Sequence, residues 1–287
     1  MKILITGGGG MLARALADEL PGRGHEVIAF DRGMVDVTDA RATMRAVVDV
    51  GPQIVIHCAA YTDVDGAEAR EEYAREVNAV ATSTVARACE RVRARLVYPS
   101  TDYVFDGSSR RPYDPADDTR PINAYGRSKL LGEKAAAEAS DRLIVRTSWL
   151  YGDGGGNFVR TMIQKGGAIA RGEAMGPLRV VADQRGAPTW THSLARTLGE
   201  LLARRAPTGV YHATDAGDTT WYDLAQEALR LAGLAAVPVE PVTSEEIPRP
   251  AARPRYSVLD LCLVEAVVGP RPHWRDSLAE AIATRRF

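Results

Sequence analysis

The feature that most constrains the fold is the alternation of short apolar runs with longer helical stretches over the first half of the chain. Residues 2–5 form a mainly apolar run, a glycine-rich turn follows, and Leu12, Leu16 and Leu20 then recur at helical spacing. Further apolar runs and helical stretches follow at 27–30, 54–56, 67–93, 96–98, 125–138 and 143–145. Strands alternating with helices of about ten or more residues form right-handed crossovers in a parallel sheet. We therefore expect an α/β protein with a doubly wound parallel sheet.

Composition and charge exclude several classes of protein. Hydrophobic residues make up 45% and charged residues 25% of the 287 residues, the balance of a globular protein. No segment approaches the roughly 18 apolar residues of a membrane span, and the first strand begins at once, without a signal peptide, so we expect a cytoplasmic protein. A formal net charge of -1 offers no field for nucleic acid or an anionic membrane. Cys58, Cys89 and Cys262 are widely spaced and odd in number, which predicts neither disulfides nor a metal site.

The turn between the first strand and the first helix predicts a dinucleotide site. It reads Thr6-Gly7-Gly8-Gly9-Gly10-Met11-Leu12-Ala13, and glycine there lets the backbone approach a pyrophosphate held at the helix N-terminus. Alone, such a cluster is also compatible with a flexible turn. Asp31, at the end of the second strand, removes most of that ambiguity, because a carboxylate at this distance from the turn binds the adenosine ribose. The sheet is therefore predicted to be a Rossmann fold.

Two residues at the end of the second strand point to different cofactors. Asp31 favours NADH because its carboxylate would accept the ribose hydroxyls, whereas the guanidinium of Arg32 would neutralise the 2′-phosphate of NADPH. NADH is slightly favoured, and use of both is expected. Asp36 and Val37 lie where they would reach the adenine, although Asp36 fits a helix cap before Arg41 equally well.

A tyrosine and a lysine four residues apart carry the catalytic prediction. Tyr125 and Lys129 share one face of a predicted helix, in a chain whose only other lysines are Lys2, Lys134 and Lys165. A neighbouring ammonium is expected to lower the pKa of the phenol and let it pass a proton to an alkoxide. Thr101 follows the strand that ends at Tyr98 and would donate to the same oxygen, unless it only stabilises a turn.

The second half of the chain has a looser pattern. Glycines at 152 and 154–156 and several later prolines interrupt the alternation of strands and helices. We predict a dinucleotide-binding Rossmann domain over residues 1–150 and a smaller C-terminal substrate-binding lobe over residues 151–287, with the chain free to cross between them.

Together, the glycine turn and the Tyr-Lys pair resemble those of the extended short-chain dehydrogenase/reductases, and most closely the dTDP-4-dehydrorhamnose reductases. The resemblance runs almost end to end. The stretches that carry it are 3–7 (ILITG), 59–65 (AAYTDVD), 100–105 (STDYVF), 146–149 (RTSW) and 183–189 (DQRGAPT). His57, where the family often has asparagine, and Ala13, in place of the last glycine of the turn, depart from its pattern.

The resemblance implies roles for individual residues. Gly10, Met11 and Leu12 would surround the pyrophosphate and Asp31 the ribose, while Asp36 and Val37 would face the adenine. The nicotinamide half would lie along Ala60, Tyr61 and Thr62. Thr101, Tyr125 and Lys129 would be catalytic. The substrate contacts would be Thr101, Asp102, Trp149 and, near the nucleotide, Arg253.

The function implied by the resemblance is reduction of the C4 ketone of a nucleotide-linked 4-keto-6-deoxysugar, dTDP-4-dehydro-L-rhamnose above all, by NADH or NADPH. A sugar epimerase or dehydratase of the same superfamily is an alternative, but dehydratases have paired acidic residues after the threonine, where this chain reads Thr101-Asp102-Tyr103. A non-catalytic regulatory subunit is another, although it would not require Thr101, Tyr125 and Lys129 together. Some relatives form metal-dependent dimers, so a homodimer is also compatible with the sequence.

Overall fold

The computed structural model describes residues 1–287 and contains twelve strands. They are β1 Lys2–Thr6, β2 Glu26–Phe30, β3 Ile54–His57, β4 Arg95–Thr101, β5 Arg142–Thr147, β6 Leu150–Tyr151, β7 Leu178–Val181, β8 Arg185–Gly186, β9 Thr189–Trp190, β10 Gly209–His212, β11 Thr219–Thr220 and β12 Val239–Val242. Six of them form one parallel sheet in the order β10-β5-β4-β3-β1-β2. The order reverses between β1 and β3, and such a reversal opens a crevice at the carboxyl ends of the strands. The predicted doubly wound α/β fold is confirmed.

Eleven α-helices accompany the strands. They are α1 Met11–Gly22, α2 Ala40–Val50, α3 Val64–Ala69, α4 Glu71–Arg75, α5 Ala81–Val92, α6 Ala124–Ala136, α7 Phe158–Ala170, α8 Thr191–Ala203, α9 Trp221–Leu231, α10 Cys262–Val268 and α11 Trp274–Ala283. None of these helices is both long and apolar enough to cross a membrane.

Consecutive residues of β1 explain why helices cover both faces of the sheet. Ile3 and Ile5 point into a core formed with α1 and α8, while Leu4 points into a second core formed with α2, α5 and α6. All three side chains are fully buried. Because successive side chains of a strand face opposite sides, a strand that is apolar at every position belongs between two helical layers.

The second half of the chain contributes to both parts of the molecule. Strand β10 pairs with β5 in the main sheet, and α8 packs against α1. Two smaller cores, one around Trp190 and Trp274 and one around Leu178 and Leu229, are formed mainly by α7, α9, α11, β7 and β12. The chain thus returns to the sheet after residue 151, and the division at that residue remains a proposal.

The structure corrects the continuous helix expected over residues 67–93. Arg70, at φ -134° and ψ 41°, separates α3 from α4, and Glu76–Val80 is a π-helical segment before α5. The wider turn places the Asn78 side chain against the backbone of Tyr61. The side-chain amide accepts a hydrogen bond from the Tyr61 amide and donates one to the Tyr61 carbonyl. Single π turns inside helices often mark functional sites.

Candidate active site

The turn after β1 provides a backbone cradle. Gly7 has φ +70°, and a Cβ there would lie 2.6 Å from the Ala59 amide nitrogen, so only glycine fits. Gly10 precedes α1 without any side-chain cap, and a Cβ on Gly9 would meet nothing within 4 Å. The first amides of α1 are therefore free to donate to an anion in open space. These features fit the pyrophosphate of a dinucleotide.

A cavity of about 960 Å³ begins at this turn and runs along the carboxyl edge of the sheet. All the predicted cofactor residues line it: Gly7, Gly10, Met11, Leu12, Asp31, Arg32, Asp36, Val37, Ala60, Tyr61, Thr62, Tyr125 and Lys129. Thr101, Asp102, Trp149 and Arg253 do not belong to its lining. The structure thus brings the predicted cofactor set together in one cavity and leaves the predicted substrate set outside its wall.

At the adenosine end, charged side chains face solvent. The Asp31 carboxylate accepts a hydrogen bond from the Met34 amide at 3.0 Å, and Arg32 Nε donates to Asp36 at 3.2 Å. Asp36 does not cap α2, because Asp39 occupies that position and accepts from the first amides of the helix. Hydrogen bonds from the Thr38 side chain and amide instead hold the pKa of Asp36 below its ordinary value.

The nicotinamide half of the predicted site is held by a residue that the sequence analysis missed. Asn78 Oδ1 accepts from the Tyr61 amide at 2.8 Å, and its Nδ2 donates to the Tyr61 carbonyl at 3.0 Å and to Ser128 Oγ at 2.8 Å. Ser128 lies between Tyr125 and Lys129 on α6. One buried amide therefore connects the loop after β3 to α6, and no local pattern in the sequence indicates this long-range contact.

Lys129 is buried and points to the end of β4. Its Nζ donates to the Pro99 carbonyl at 2.7 Å and lies 4.0 Å from the centre of the Tyr98 ring. Burial lowers the pKa of Lys129 to about 7, against a smaller opposing effect of the Glu133 carboxylate. The ammonium is therefore close to its titration midpoint at neutral pH.

The phenol of Tyr125 differs from the expectation. Its pKa is raised, first by burial and then by the negative charge of Asp102, while a hydrogen bond with Thr101 opposes the shift. The prediction that Lys129 lowers this pKa is wrong for the structure as it stands, because the lysine is engaged with Pro99 and its proton is weakly held. Tyr125 is consequently protonated at neutral pH, the state required of a proton donor.

Thr101 and Asp102 form a buried pair at the end of β4. Thr101 Oγ1 accepts from the Tyr103 amide at 3.1 Å and donates to Asp102 Oδ1 at 3.0 Å. The other oxygen of Asp102 is buried without a hydrogen-bond partner, and burial raises the pKa of this carboxyl to about 7. A buried carboxyl oxygen without a partner is able to accept a ligand hydroxyl or to hold a proton.

Trp149 and Arg253 have partners of their own. Trp149 has φ +47°, stacks on Trp221 at 3.6 Å between ring centres, and packs against Gly186. Arg253 Nη2 donates to Asp65 at 2.9 Å, so its charge is already compensated. Both positions lie outside the cavity lining.

Several further residues line the cavity wall and, apart from Gly9 and Ala13 of the glycine turn, they had no predicted role in it. They are Gly9, Ala13, Gly33, Val35, Thr38, Cys58, Ala59, Arg70, Tyr73, Val77, Pro99, Ser100, Thr147 and Leu150. Ser100 and Thr147 were detectable, since they follow or end apolar strands at the sheet edge where ligands bind. No group of three or more His, Cys, Asp or Glu side chains is arranged to hold a metal ion.

Comparison with known proteins identifies the family of the whole chain. The family model described as "RmlD substrate binding domain" matches residues 1–287. A dTDP-4-dehydrorhamnose reductase of Streptomyces griseus is 46% identical over 97% of this chain and 92% of its own length.

Two solved structures are similar throughout. A dTDP-4-dehydrorhamnose reductase from Clostridium acetobutylicum has a TM-score of 0.94 at 41% identity, and one from Bacillus anthracis in complex with NADP has 0.91 at 37%. Each comparison covers 99% of both chains. This chain belongs to the dTDP-4-dehydrorhamnose reductase family, within the extended short-chain dehydrogenase/reductases.

Proposed function

We propose that this protein reduces the C4 ketone of dTDP-4-dehydro-L-rhamnose, or of a related dTDP-linked 4-keto-6-deoxysugar, to the C4 alcohol. It is an NAD(P)-dependent oxidoreductase that uses NADPH or NADH. One observation carries the catalytic part of the proposal. Tyr125 and Lys129 lie one helical turn apart on α6, and both line the cavity that begins at the glycine turn. This arrangement supports a proton donor beside the expected dinucleotide.

The chemistry divides between cofactor and protein. When bound, the reduced nicotinamide supplies a hydride to the carbonyl carbon. Tyr125 donates its proton to the carbonyl oxygen as charge develops there, which its raised pKa permits because the phenol enters the reaction protonated. To stabilise the phenolate that remains, Lys129 would have to leave the Pro99 carbonyl and turn its ammonium toward Tyr125, since a nearby ammonium favours the charged form. A neutral lysine would lose this effect, so its own protonation matters.

Thr101 is proposed to bind the same carbonyl oxygen. Its hydroxyl donates to Asp102 in the present structure, and it would have to rotate from that carboxylate to the substrate. The Thr101 hydroxyl acts to lower the pKa of the Tyr125 phenol, against the larger effect of burial, which supports the closeness of the two hydroxyls. A donor at the developing oxyanion stabilises the transition state more than the ketone.

The substrate contacts are proposed on separate grounds. Asp102 has a buried oxygen free to accept a sugar hydroxyl. Trp149 presents an aromatic surface held by Trp221. Arg253 is proposed to contact the nucleotide end, which requires it to share its guanidinium between Asp65 and a phosphate.

Elimination and non-catalytic binding are less well supported. A dehydratase needs a second acid next to Asp102, and position 103 is a tyrosine. A binding subunit has no need of a phenol, an ammonium and a hydroxyl gathered at one sheet edge. Reduction uses all three of them.

The direct test is to mix the purified protein with dTDP-4-keto-L-rhamnose and either NADPH or NADH and to follow the absorbance of the reduced cofactor. We expect oxidation that depends on the sugar and the appearance of a C4 alcohol. dTDP-glucose, which has no ketone at C4, is the matched control and should give none. Absence of turnover with both cofactors would overturn the proposal.

Three further features belong to the proposal. We propose a cytoplasmic location, which the three unpaired cysteines support because disulfides are rare in reducing compartments. We propose that residues 1–150 form the cofactor domain and residues 151–287 the substrate lobe, apart from β10 and α8. A homodimer is proposed from the family resemblance alone, and sedimentation of the purified protein tests it.

A further inference from the structure

A buried carboxylate follows Tyr125 and Lys129 on α6. Glu133 lies one helical turn beyond Lys129, as Lys129 lies one turn beyond Tyr125. The residue is 5% exposed. Its carboxylate accepts three hydrogen bonds, from Ser100 Oγ at 2.6 Å and from Arg146 Nε at 2.9 Å and Nη2 at 2.8 Å. Glu133 therefore joins the catalytic helix to the ends of both β4 and β5.

A buried ion pair of this kind is not explained by stability. Withdrawing both charges from water costs about as much as their attraction returns, and apolar residues of similar volume often serve equally well. Arg146 has further contacts, with the Pro115 carbonyl at 3.2 Å and His212 Nε2 at 3.4 Å. The position of the pair, between the strand that carries Ser100 and the helix that carries Lys129, points to a role in the site.

The other titratable groups around Lys129 are uncharged, unlike Glu133. Cys58 and His57 face the lysine from the end of β3, and burial raises the pKa of the thiol to about 12 and lowers that of the imidazole to about 3. Burial also raises the pKa values of the phenols of Tyr98 on β4 and Tyr125 on α6. All four groups are therefore uncharged near neutral pH.

Glu133 is thus the anionic group that acts on Lys129, and its charge favours the ammonium over the amine. The positive charge of Arg146 on β5 is paired with that carboxylate, and His212 on β10 is kept neutral by burial, which lowers its pKa to about 3. Ser100, the other partner of Glu133, lines the cofactor cavity.

We propose that Glu133 is a positioning residue, whose carboxylate keeps the Lys129 side chain charged and fixes the Ser100 hydroxyl at the wall of the cofactor cavity. The consequence for turnover rests on the proposed reductase function, whereas the effect on Lys129 does not. Glu133 itself contacts neither the cavity nor the expected substrate. It acts through two neighbours that line the cavity.

Titration of Lys129 by NMR tests the proposal without any substrate. The chain has only the lysines Lys2, Lys129, Lys134 and Lys165, and Lys129 is the one buried among them, so 13C-lysine labelling gives few resonances. The Lys129→Met variant assigns the buried one by its loss. We expect a wild-type midpoint near pH 7 and a midpoint about one pH unit lower in Glu133→Gln.

Two further variants separate positioning from packing. Glu133→Gln leaves Arg146 buried and unpaired, so Glu133→Gln/Arg146→Met removes both charges and restores a neutral interior. The double variant should keep the lowered midpoint of Lys129, whereas Ser100→Ala, which removes only the hydroxyl, should leave the midpoint as in the wild type. A double variant in which Lys129 titrates like the wild type would overturn the proposal.

The pH profile of kcat/KM with sugar substrate adds the functional readout. We expect its inflection to move with the NMR midpoint in the double variant. If the NMR shift occurs but no variant, the wild type included, reduces the sugar, the proposed function fails and the role of Glu133 toward Lys129 stands. If the wild type turns over and the profile of the double variant does not move, the positioning role is wrong.

Discussion

Gly132 offers a stringent test of how the catalytic helix is seated. It lies inside α6, and a Cβ there would be 2.0 Å from Tyr98 Oη and 2.2 Å from the Asn78 carbonyl oxygen. Tyr98 is 1% exposed and donates to that same carbonyl at 3.2 Å. Neither atom is free to move, since one belongs to a packed ring beneath Lys129 and the other to the π-helical backbone. Gly132→Ala must therefore displace α6 from the sheet.

The magnitude follows from three effects. Overpacking a buried site costs about 1–3 kcal/mol, and loss of the Tyr98 hydrogen bond adds about 1 kcal/mol. Alanine is better than glycine inside a helix by about 1 kcal/mol, which offsets part of this. We expect Gly132→Ala to lower the free energy of unfolding by about 1–3 kcal/mol. Cofactor binding should weaken as well, because Asn78 also holds the Tyr61 backbone at the cavity.

Urea denaturation followed by circular dichroism measures the first effect, and fluorescence titration with NADPH the second. Gly22→Ala is the matched control, since Gly22 is also helical but a Cβ there meets nothing within 4 Å. The control should be neutral or more stable by up to about 1 kcal/mol. If Gly132→Ala proves as stable as the wild type and binds NADPH as well, the described packing of α6 against Tyr98 and Asn78 is incorrect.

Three further substitutions test separate parts of the account. Gly7→Ala should reduce the affinity for both cofactors at least tenfold in a fluorescence titration, because a Cβ would clash with the Ala59 backbone and the native φ is +70°. Unchanged binding would contradict the proposed role of the glycine turn in holding the pyrophosphate. Arg32→Ala should weaken NADPH binding about tenfold and NADH binding little, because only NADPH has a 2′-phosphate that could accept a charge-assisted hydrogen bond from Arg32. Equal losses for the two cofactors would contradict a role of Arg32 in binding that phosphate. Lys129→Met should stabilise the fold while abolishing turnover. The unfolded chain binds the lysine proton more tightly than the folded one, so this gain should grow as pH falls from 10.5 to about 7 and reach about 4–5 kcal/mol in urea denaturation. A gain that grows with rising pH would contradict this reasoning.

Local patterns in the sequence were sufficient for the sheet, and insufficient for the way the second half of the chain joins it. Ile3, Leu4 and Ile5 are apolar on both faces of a strand, which only a covered parallel sheet accommodates. By contrast, β10 has only four residues, and its pairing with β5 spans more than sixty residues of sequence. The interruption of the helix at Arg70 and the π turn at Asn78 likewise depend on tertiary contacts of Asn78 that no helical periodicity reveals.

The lining of the cavity was more predictable from the sequence than the surroundings of Thr101, Asp102, Trp149 and Arg253. Glycines at a turn and a carboxylate at a strand end are fixed by the backbone, so Gly7, Gly10 and Asp31 all line the cavity. Protonation states were not predictable, because burial dominates the pKa values of Tyr125 and Lys129 and burial is a property of the assembled fold. The Glu133–Arg146 pair was missed for the same reason, since its members meet only when α6 packs on β5.

In the proposed mechanism the Tyr125 phenol delivers the proton to the reduced ketone, and Tyr125→Phe removes that proton. Single-turnover reduction of dTDP-4-keto-L-rhamnose should slow by about 10²–10⁴-fold in this variant, while the affinity for NADPH stays within about twofold of the wild type. The ring and its packing are retained, so only the hydroxyl is removed. A variant that reduces the sugar at the wild-type rate would contradict the account.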